Sequence, residues 1–229
     1  MPGKINIASQ QENYFYKLKV YPLQDRVMDL LQSDKFYLTG GTCLSRYYYQ
    51  HRYSDDLDLF FDGIKYTQTT FEAESRLFIN RLATAYKLEV SNDTEYFKQI
   101  FVVQEEINLK VDMVYEPIPL IENPLKHEHF FLDTKANLVA NKLSAIFHRK
   151  TLKDYIDLYY LLGEFRIEEV IKWVSLKNVA LSYEETILAL AEGAMQGNVI
   201  LIKPVDVNEF DTFAKNFIEQ LIHYAGKIQ

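Results

Sequence analysis

Apolar and polar positions in this chain run at helical spacing, then alternate, then return to helical spacing. Between Leu18 and Leu31 the apolar residues recur on one face of a predicted helix, with Leu23, Val27, Leu30 and Leu31 inward. Ser33-Asp34 ends that helix, and a short strand, Phe36-Tyr37-Leu38, runs into Gly40-Gly41. A second helical segment is predicted from Thr42 to about Gln50, followed by the alternating strand Asp56-Leu57-Asp58-Leu59-Phe60. Asp62-Gly63 turns the chain into an amphipathic helix, Tyr66 to Tyr86, with Phe71, Leu77, Phe78, Leu82 and Ala85 expected inside. Three strands follow, Tyr86–Ser91, Tyr96–Gln104 and Ile107–Tyr115, the first two separated by the turn pair Asn92-Asp93. In the third strand the odd positions from Ile107 to Met113 are apolar, which puts Asn108, Lys110 and Asp112 on the other face.

Residues 1–11 are polar and expected to be loose, and residues 116–124 carry three prolines and read as a linker. His127 and His129 alternate on a short extended piece, read as surface strand rather than metal ligands for want of a third ligand. From Asp133 the pattern is helical to the end. Val139, Leu143, Ile146 and Phe147 form a core stripe, and Lys135, Lys142 and Arg149 recur every seven residues along its border. The next helix buries Tyr155, Leu158, Tyr159 and Leu162. Thr151 and Asp154 resemble a capping box at its start, and Asp157 faces away from that core with Lys153 as its expected ion-pair partner. Further helices are expected over 167–180, 183–196 and 206–224. The pattern divides the chain into an α/β part, 1–123, and a helical part, 124–229.

Candidate chemistry concentrates between Leu38 and Asp62. On a strand Asp56 and Asp58 share one face about 7 Å apart, where two like charges repel by roughly 2 kcal/mol at an effective dielectric near 20. A divalent cation between them relieves that repulsion, and hard oxygen donors on a rigid strand suit Mg²⁺ or Mn²⁺. Gly40 and Gly41, between a strand and a helix, permit a tight turn and close backbone approach to a ligand. Backbone N–H groups there, with the Thr42 hydroxyl, would face a phosphate. Arg52 and Ser54 lie between the two halves. The competing reading is an ordinary Gly-Gly turn and a polar strand edge. Asp112 would join the two acids if its strand neighbours theirs; otherwise it is a solvent-facing edge residue. The Lys135/Lys142/Arg149 line either snorkels, with buried stems and solvated heads, or holds a triphosphate.

Net charge is −7, so the chain has no overall basic footprint for stable nucleic-acid binding, and RNA would be a transient substrate or meet a local patch. The single cysteine, Cys43, excludes an internal disulfide and reads as a small buried residue. No signal-peptide pattern and no bilayer-length apolar run is visible, which points to the cytoplasm and away from membranes.

GGTCL followed by HRYSDDLDLF resembles the first motif of the nucleotidyltransferase AbiEii/AbiGii toxin family, a branch of the DNA polymerase β-like nucleotidyltransferase superfamily. NKLSAIFHRKTLKDYIDLYYLL resembles the family's second block, and together the two span Phe36 to Leu162. The resemblance implies a polymerase β-like core with a small mixed sheet, followed by a helical C-terminal part. It implies metal-dependent transfer of a nucleoside monophosphate from an NTP to an acceptor, releasing pyrophosphate, by the toxin of a bacterial toxin–antitoxin or phage-defence pair. The implied acceptor is RNA, at the tRNA end, and a cognate antitoxin is implied as partner. Asp56 and Asp58 would be the metal ligands, with Asp112 as a third acid that the toxin family does not always carry. Gly40, Gly41, Thr42, Arg52, Ser54, Lys142 and Arg149 would hold the nucleotide. Lys142 and Asp157 match the family's functional lysine and aspartate, Asp157 orienting Lys142 or accepting a proton. The alternatives are a protein- or small-molecule-directed nucleotidyltransferase, and a nucleotide-binding protein active only with a partner.

Overall fold

The structure, a computed structural model, describes residues 3–177, 182–192 and 195–226. The chain forms two compact units, one of Ser9–Tyr48 and Tyr53–Thr134, the other of Met1–Ala8, Tyr49–Arg52 and Lys135–Gln229. A short strand β1 (Ile5–Ile7) belongs to the second unit.

The first unit is built on a mixed seven-stranded sheet. Helix α1 (Gln10–Phe15) starts at a Ser9/Glu12 capping box and continues through a π-helical stretch, Tyr16–Val20, into α2 (Tyr21–Asp29). Strand β2 (Phe36–Thr39) leads into α3 (Gly40–Cys43) and a π-helical extension, Leu44–Tyr49. After β3 (Leu57–Asp62) come α4 (Gln68–Ala85), β4 (Lys87–Asp93), β5 (Phe97–Gln104), β6 (Ile107–Glu116), β7 (Leu125–His127) and β8 (Phe130–Leu132). The strand order is β4-β5-β6-β3-β2-β8-β7. β3 runs parallel to β6 and β2 parallel to β8, while the other pairs are antiparallel.

Period-two patterning sets the faces. Leu57, Leu59 and Phe61 of β3 and Leu109, Val111 and Met113 of β6 are buried, so Asp58 and Asp112 point the other way. Phe36, Phe61, Phe71 and Tyr115 pack edge-to-face, tilted or, for Phe61 and Tyr115, stacked, at 5.1–6.1 Å where α4 covers the sheet. The inward face of α4 is Phe71, Ser75, Phe78 and Leu82; Leu77 and Ala85, expected inside, are exposed. Leu77 is adjacent in sequence to Phe78, about 100° away around the helix, so only one of the two can face the sheet.

The second unit packs α5 (Lys135–Arg149), α6 (Leu152–Leu161), α7 (Ile167–Leu176), α8 (Tyr183–Ala191) and α9 (Val207–Ala225). Asp206 caps α9 with its side chain, and Gly226 follows it. Residues 178–180 and 193–194 of the helices expected over 167–180 and 183–196 lie outside the described residues. Two expectations are corrected here. The loose N-terminus contains β1, and the helical tail contains β9 (Val199–Leu201); they pair in parallel, Ile5 to Val199 and Ile7 to Leu201. Three-residue strands show no period in sequence, and their partners lie 194 positions apart. The segment Tyr49–Arg52 joins the end of β9, with the Ile202 N–H donating to the His51 carbonyl at 2.9 Å.

Candidate active site

The sheet unit gathers the Gly-Gly turn and the acids. Gly40 has φ +69°, and a Cβ placed on it would stand 2.1 Å from Asp58 Oδ2. Thr39, just before it, pairs with Asp58 across β2 and β3. The turn therefore needs glycine twice over, for a left-handed backbone and for room beside a carboxylate. β3 and β6 then set Asp58 opposite Asp112. Asp56 lies one residue before β3 in a loop with three braces. The Thr42 hydroxyl donates to the Asp56 carbonyl, and the buried Gln24 amide donates to the carbonyls of Ser54 and Asp55 at 3.1 and 3.2 Å. Tyr53 stacks on Tyr16 with ring centroids 4.0 Å apart.

Lys110 enters between the acids. Its Nζ is 3.0 Å from Asp56 Oδ2 and 3.1 Å from Asp112 Oδ2, and Gln99 Nε2 donates to Asp112 Oδ1 at 2.9 Å. Burial disfavours the lysine's charge, but hydrogen bonds and attraction from Asp56 and Asp112 outweigh it and its pKa is raised. Behind the turn, buried Asp133 accepts a hydrogen bond from the Thr39 hydroxyl at 2.6 Å, and its carbonyl accepts one from the Tyr48 hydroxyl at 2.7 Å. Cys43 is fully buried, and burial pushes its thiol pKa well up.

The helical unit holds a second, buried cluster. Asp157 Oδ1 meets His51 Nε2 and Arg52 Nε, both at 2.7 Å, and its Oδ2 meets Arg52 Nη2 at 2.8 Å and Lys142 Nζ at 2.6 Å. Asp154 receives Lys142 at 2.8 Å, the Arg149 fork at 2.6 and 2.8 Å, and the Thr151 hydroxyl. Both acids are fully buried. Despite burial, which raises a carboxylate pKa, Lys142 and Arg149 hold Asp154 below the usual range, and Arg52 and Lys142 hold Asp157 well below it. Burial opposes the Lys142 charge, and attraction from Asp157 and Asp154 overcomes it. His51 is pushed below its usual pKa, mainly by burial, and so is neutral near pH 7. With Nε2 donating to Asp157, its buried Nδ1 is an acceptor without a partner among the described residues.

The expected residues therefore fall into two sets. Gly40, Gly41, Thr42, Ser54, Asp56, Asp58 and Asp112 lie in the sheet unit, and Arg52, Lys142, Arg149 and Asp157 in the helical unit. Thr42 serves as a brace, and Arg52 is a buried bidentate clamp. Lys142, 5% exposed, bridges two carboxylates instead of snorkelling, and Lys135 pairs with Glu164. Lys153 is exposed and is not the partner of Asp157, and Asp154 is a hub rather than a capping residue. Residues 154–158 of α6 are all buried, so its polar side faces cations instead of water. Sequence reasoning missed Lys110, Gln24 and Asp133 as organising groups. Gln24, polar beside Leu23 on a helix face that runs on to Val27 and Leu31, was the visible signal. Among the described residues no three of His, Cys, Asp or Glu come together as a metal cluster, and no helix is long and apolar enough to cross a membrane.

Comparison with known proteins gives the family and the fold. Residues 23–221 match the family model "Nucleotidyl transferase AbiEii toxin, Type IV TA system". JHP933 from Helicobacter pylori is similar in fold, at 18% identity and TM-score 0.60, over 96% of this chain and 97% of that one. A putative nucleotidyltransferase from H. pylori has 18% identity and TM-score 0.62, over 97% and 99%. MenT4, a nucleotidyltransferase toxin from Mycobacterium tuberculosis, has 18% identity and TM-score 0.59, over 87% and 83%. No curated protein matched.

Proposed function

Since the chain belongs to the AbiEii nucleotidyl transferase toxin family of type IV toxin–antitoxin systems, we propose that it transfers a nucleoside monophosphate from an NTP to the end of an RNA, with tRNA as the acceptor class. A hydroxyl oxygen of the acceptor attacks the α-phosphorus and gives up its proton to solvent, the α-phosphorus–oxygen bond to the β-phosphate breaks, and pyrophosphate leaves. The observation that carries this reading is the Gly40–Asp58 juxtaposition, where a left-handed glycine lets a strand-borne carboxylate lie directly against the turn.

The donor set fits a hard divalent cation, Mg²⁺ or Mn²⁺. Asp56 and Asp58, both half-buried, offer carboxylates two positions apart, and Asp56 shares Lys110 with Asp112, which Gln99 holds from its other side. Such an ion, when bound, neutralises charge on the phosphates. The chain's own residues do the rest of the positioning. Gly40 and Gly41 let the backbone approach the phosphates, Thr42 and Gln24 fix the loop that presents Asp56, and Ser54 lies on that loop. In the helical unit Asp157 orients Lys142, as their 2.6 Å contact supports, and Arg149 shares Asp154 with it.

The test is transfer from each α-labelled NTP to cellular RNA and protein, with Asp58→Asn and Lys142→Ala as controls. Label in small RNA that disappears in both variants is the expected result. The net charge of −7 favours one second reading, a protein or small-molecule acceptor, and label in those fractions instead of RNA would replace the first.

A further inference from the structure

The acidic cluster of the sheet unit contains a cation of its own. Lys110 and Asp112 sit two residues apart on β6 and so on one face, and β6 lies parallel to β3 with Val111 opposite Leu57 and Asp112 opposite Asp58. That register brings the ammonium of Lys110 to 3.0 Å from Asp56 and 3.1 Å from Asp112. Asp112 is saturated from both sides, its other oxygen accepting from Gln99, which is paired with Asp112 across β5 and β6. Metal ions placed about 4 Å apart and bridged by acids are the usual way to clamp both the attacking and leaving oxygens of a phosphoryl displacement. Here the place beside Asp112 is filled by a side chain that is covalently part of the sheet.

We propose that Lys110 is a positioning residue that acts as a built-in second cation, holding Asp112 out of metal ligation and limiting the cluster to one divalent ion on Asp56 and Asp58. The lysine supplies a fixed positive charge at the edge of the phosphate site without an exchangeable ion, and it keeps Asp56 turned toward the cluster. This rests on the reading of Asp56 and Asp58 as ion ligands.

The experiment counts Mn²⁺ bound to the full chain by calorimetry and by electron paramagnetic resonance, with the metal alone as probe. Wild type is expected to bind one ion. Lys110→Met is expected to bind two, with the spin-coupled spectrum of neighbouring ions, and Lys110→Met/Asp112→Asn to return to one. Lys110→Gln, which keeps a hydrogen bond but no charge, takes the place of the Met variant if that does not fold. Two coupled ions in wild type, or one ion of unchanged affinity in both Lys110 variants, would overturn the role given to Lys110. No ion in wild type would remove the metal reading of Asp56 and Asp58 itself, and this proposal with it.

Discussion

The two charged clusters differ in balance and in exposure. In the sheet unit one lysine pairs with two carboxylates, Asp56 and Asp112, with Asp58 opposite Asp112 in register, and the side chain of Asp56 is 32% exposed. In the helical unit three cations, Arg52, Lys142 and Arg149, surround two fully buried carboxylates, and neutral His51 completes the shell. An open cluster with surplus negative charge can take up a cation and change its state. A buried one whose acids are fully matched has little to gain from a ligand, and losing one partner leaves the others as uncompensated buried charge. In the proposed transfer, chemistry falls to the first cluster and positioning to the second.

Breaking that contrast should show most strongly at Asp58. Asp58→Asn is expected to lower nucleotide transfer roughly a thousand-fold, several kcal/mol of transition-state stabilisation, with little change in the urea midpoint. Asp157→Ala should do the reverse and strike the fold. Arg52 and Lys142 would remain buried without it, at a cost of about 3–5 kcal/mol, read from chemical denaturation. An unchanged midpoint would mean that the network is not the structural element described. Gly40→Ala sits between the two, because it forces a left-handed alanine and crowds Asp58. It is expected to cost about 1–3 kcal/mol in stability and to reduce transfer as well.

The smallest effect concerns pH. The folded pKa of His51 lies below its unfolded value near 6.5, so the unfolded chain takes up that proton first. The stability from neutral His51, which faces Asp157, Arg52, Lys142 and the Tyr160 ring, is present above about pH 6.5 and lost as pH falls through the folded pKa. Urea midpoints from pH 7.5 down to 5.5 should therefore fall more steeply in wild type than in His51→Gln; equal slopes would assign the dependence elsewhere. Asp154 and Asp157, both depressed, contribute stability above about pH 4 that is lost as pH drops below it.

Much of the sheet unit was legible in the chain. Strong alternation marked β3 and β6, and the face of β3 that carries Asp58 follows from the pleat alone. Gly40-Gly41 between a strand and a helix announced a special turn, and φ +69° bears that out. The helical unit was legible as helices but not as a network. Asp157 was matched to Lys153 because local spacing is all that a helix pattern provides, yet its partners are Lys142 and, 105 and 106 residues away, Arg52 and His51.

The amino-acid order by itself determined the longer helices and strands, the face of β3 that carries Asp58 and the family to which the chain belongs, since periodicity and motif are local properties. Tertiary structure alone decided that Lys110 lies between Asp56 and Asp112, that β1 pairs with β9, and that Lys142 is buried between two acids. Each of these depends on which strand or helix becomes the neighbour. That choice is made by the burial of whole faces at once, and no short stretch of sequence records it.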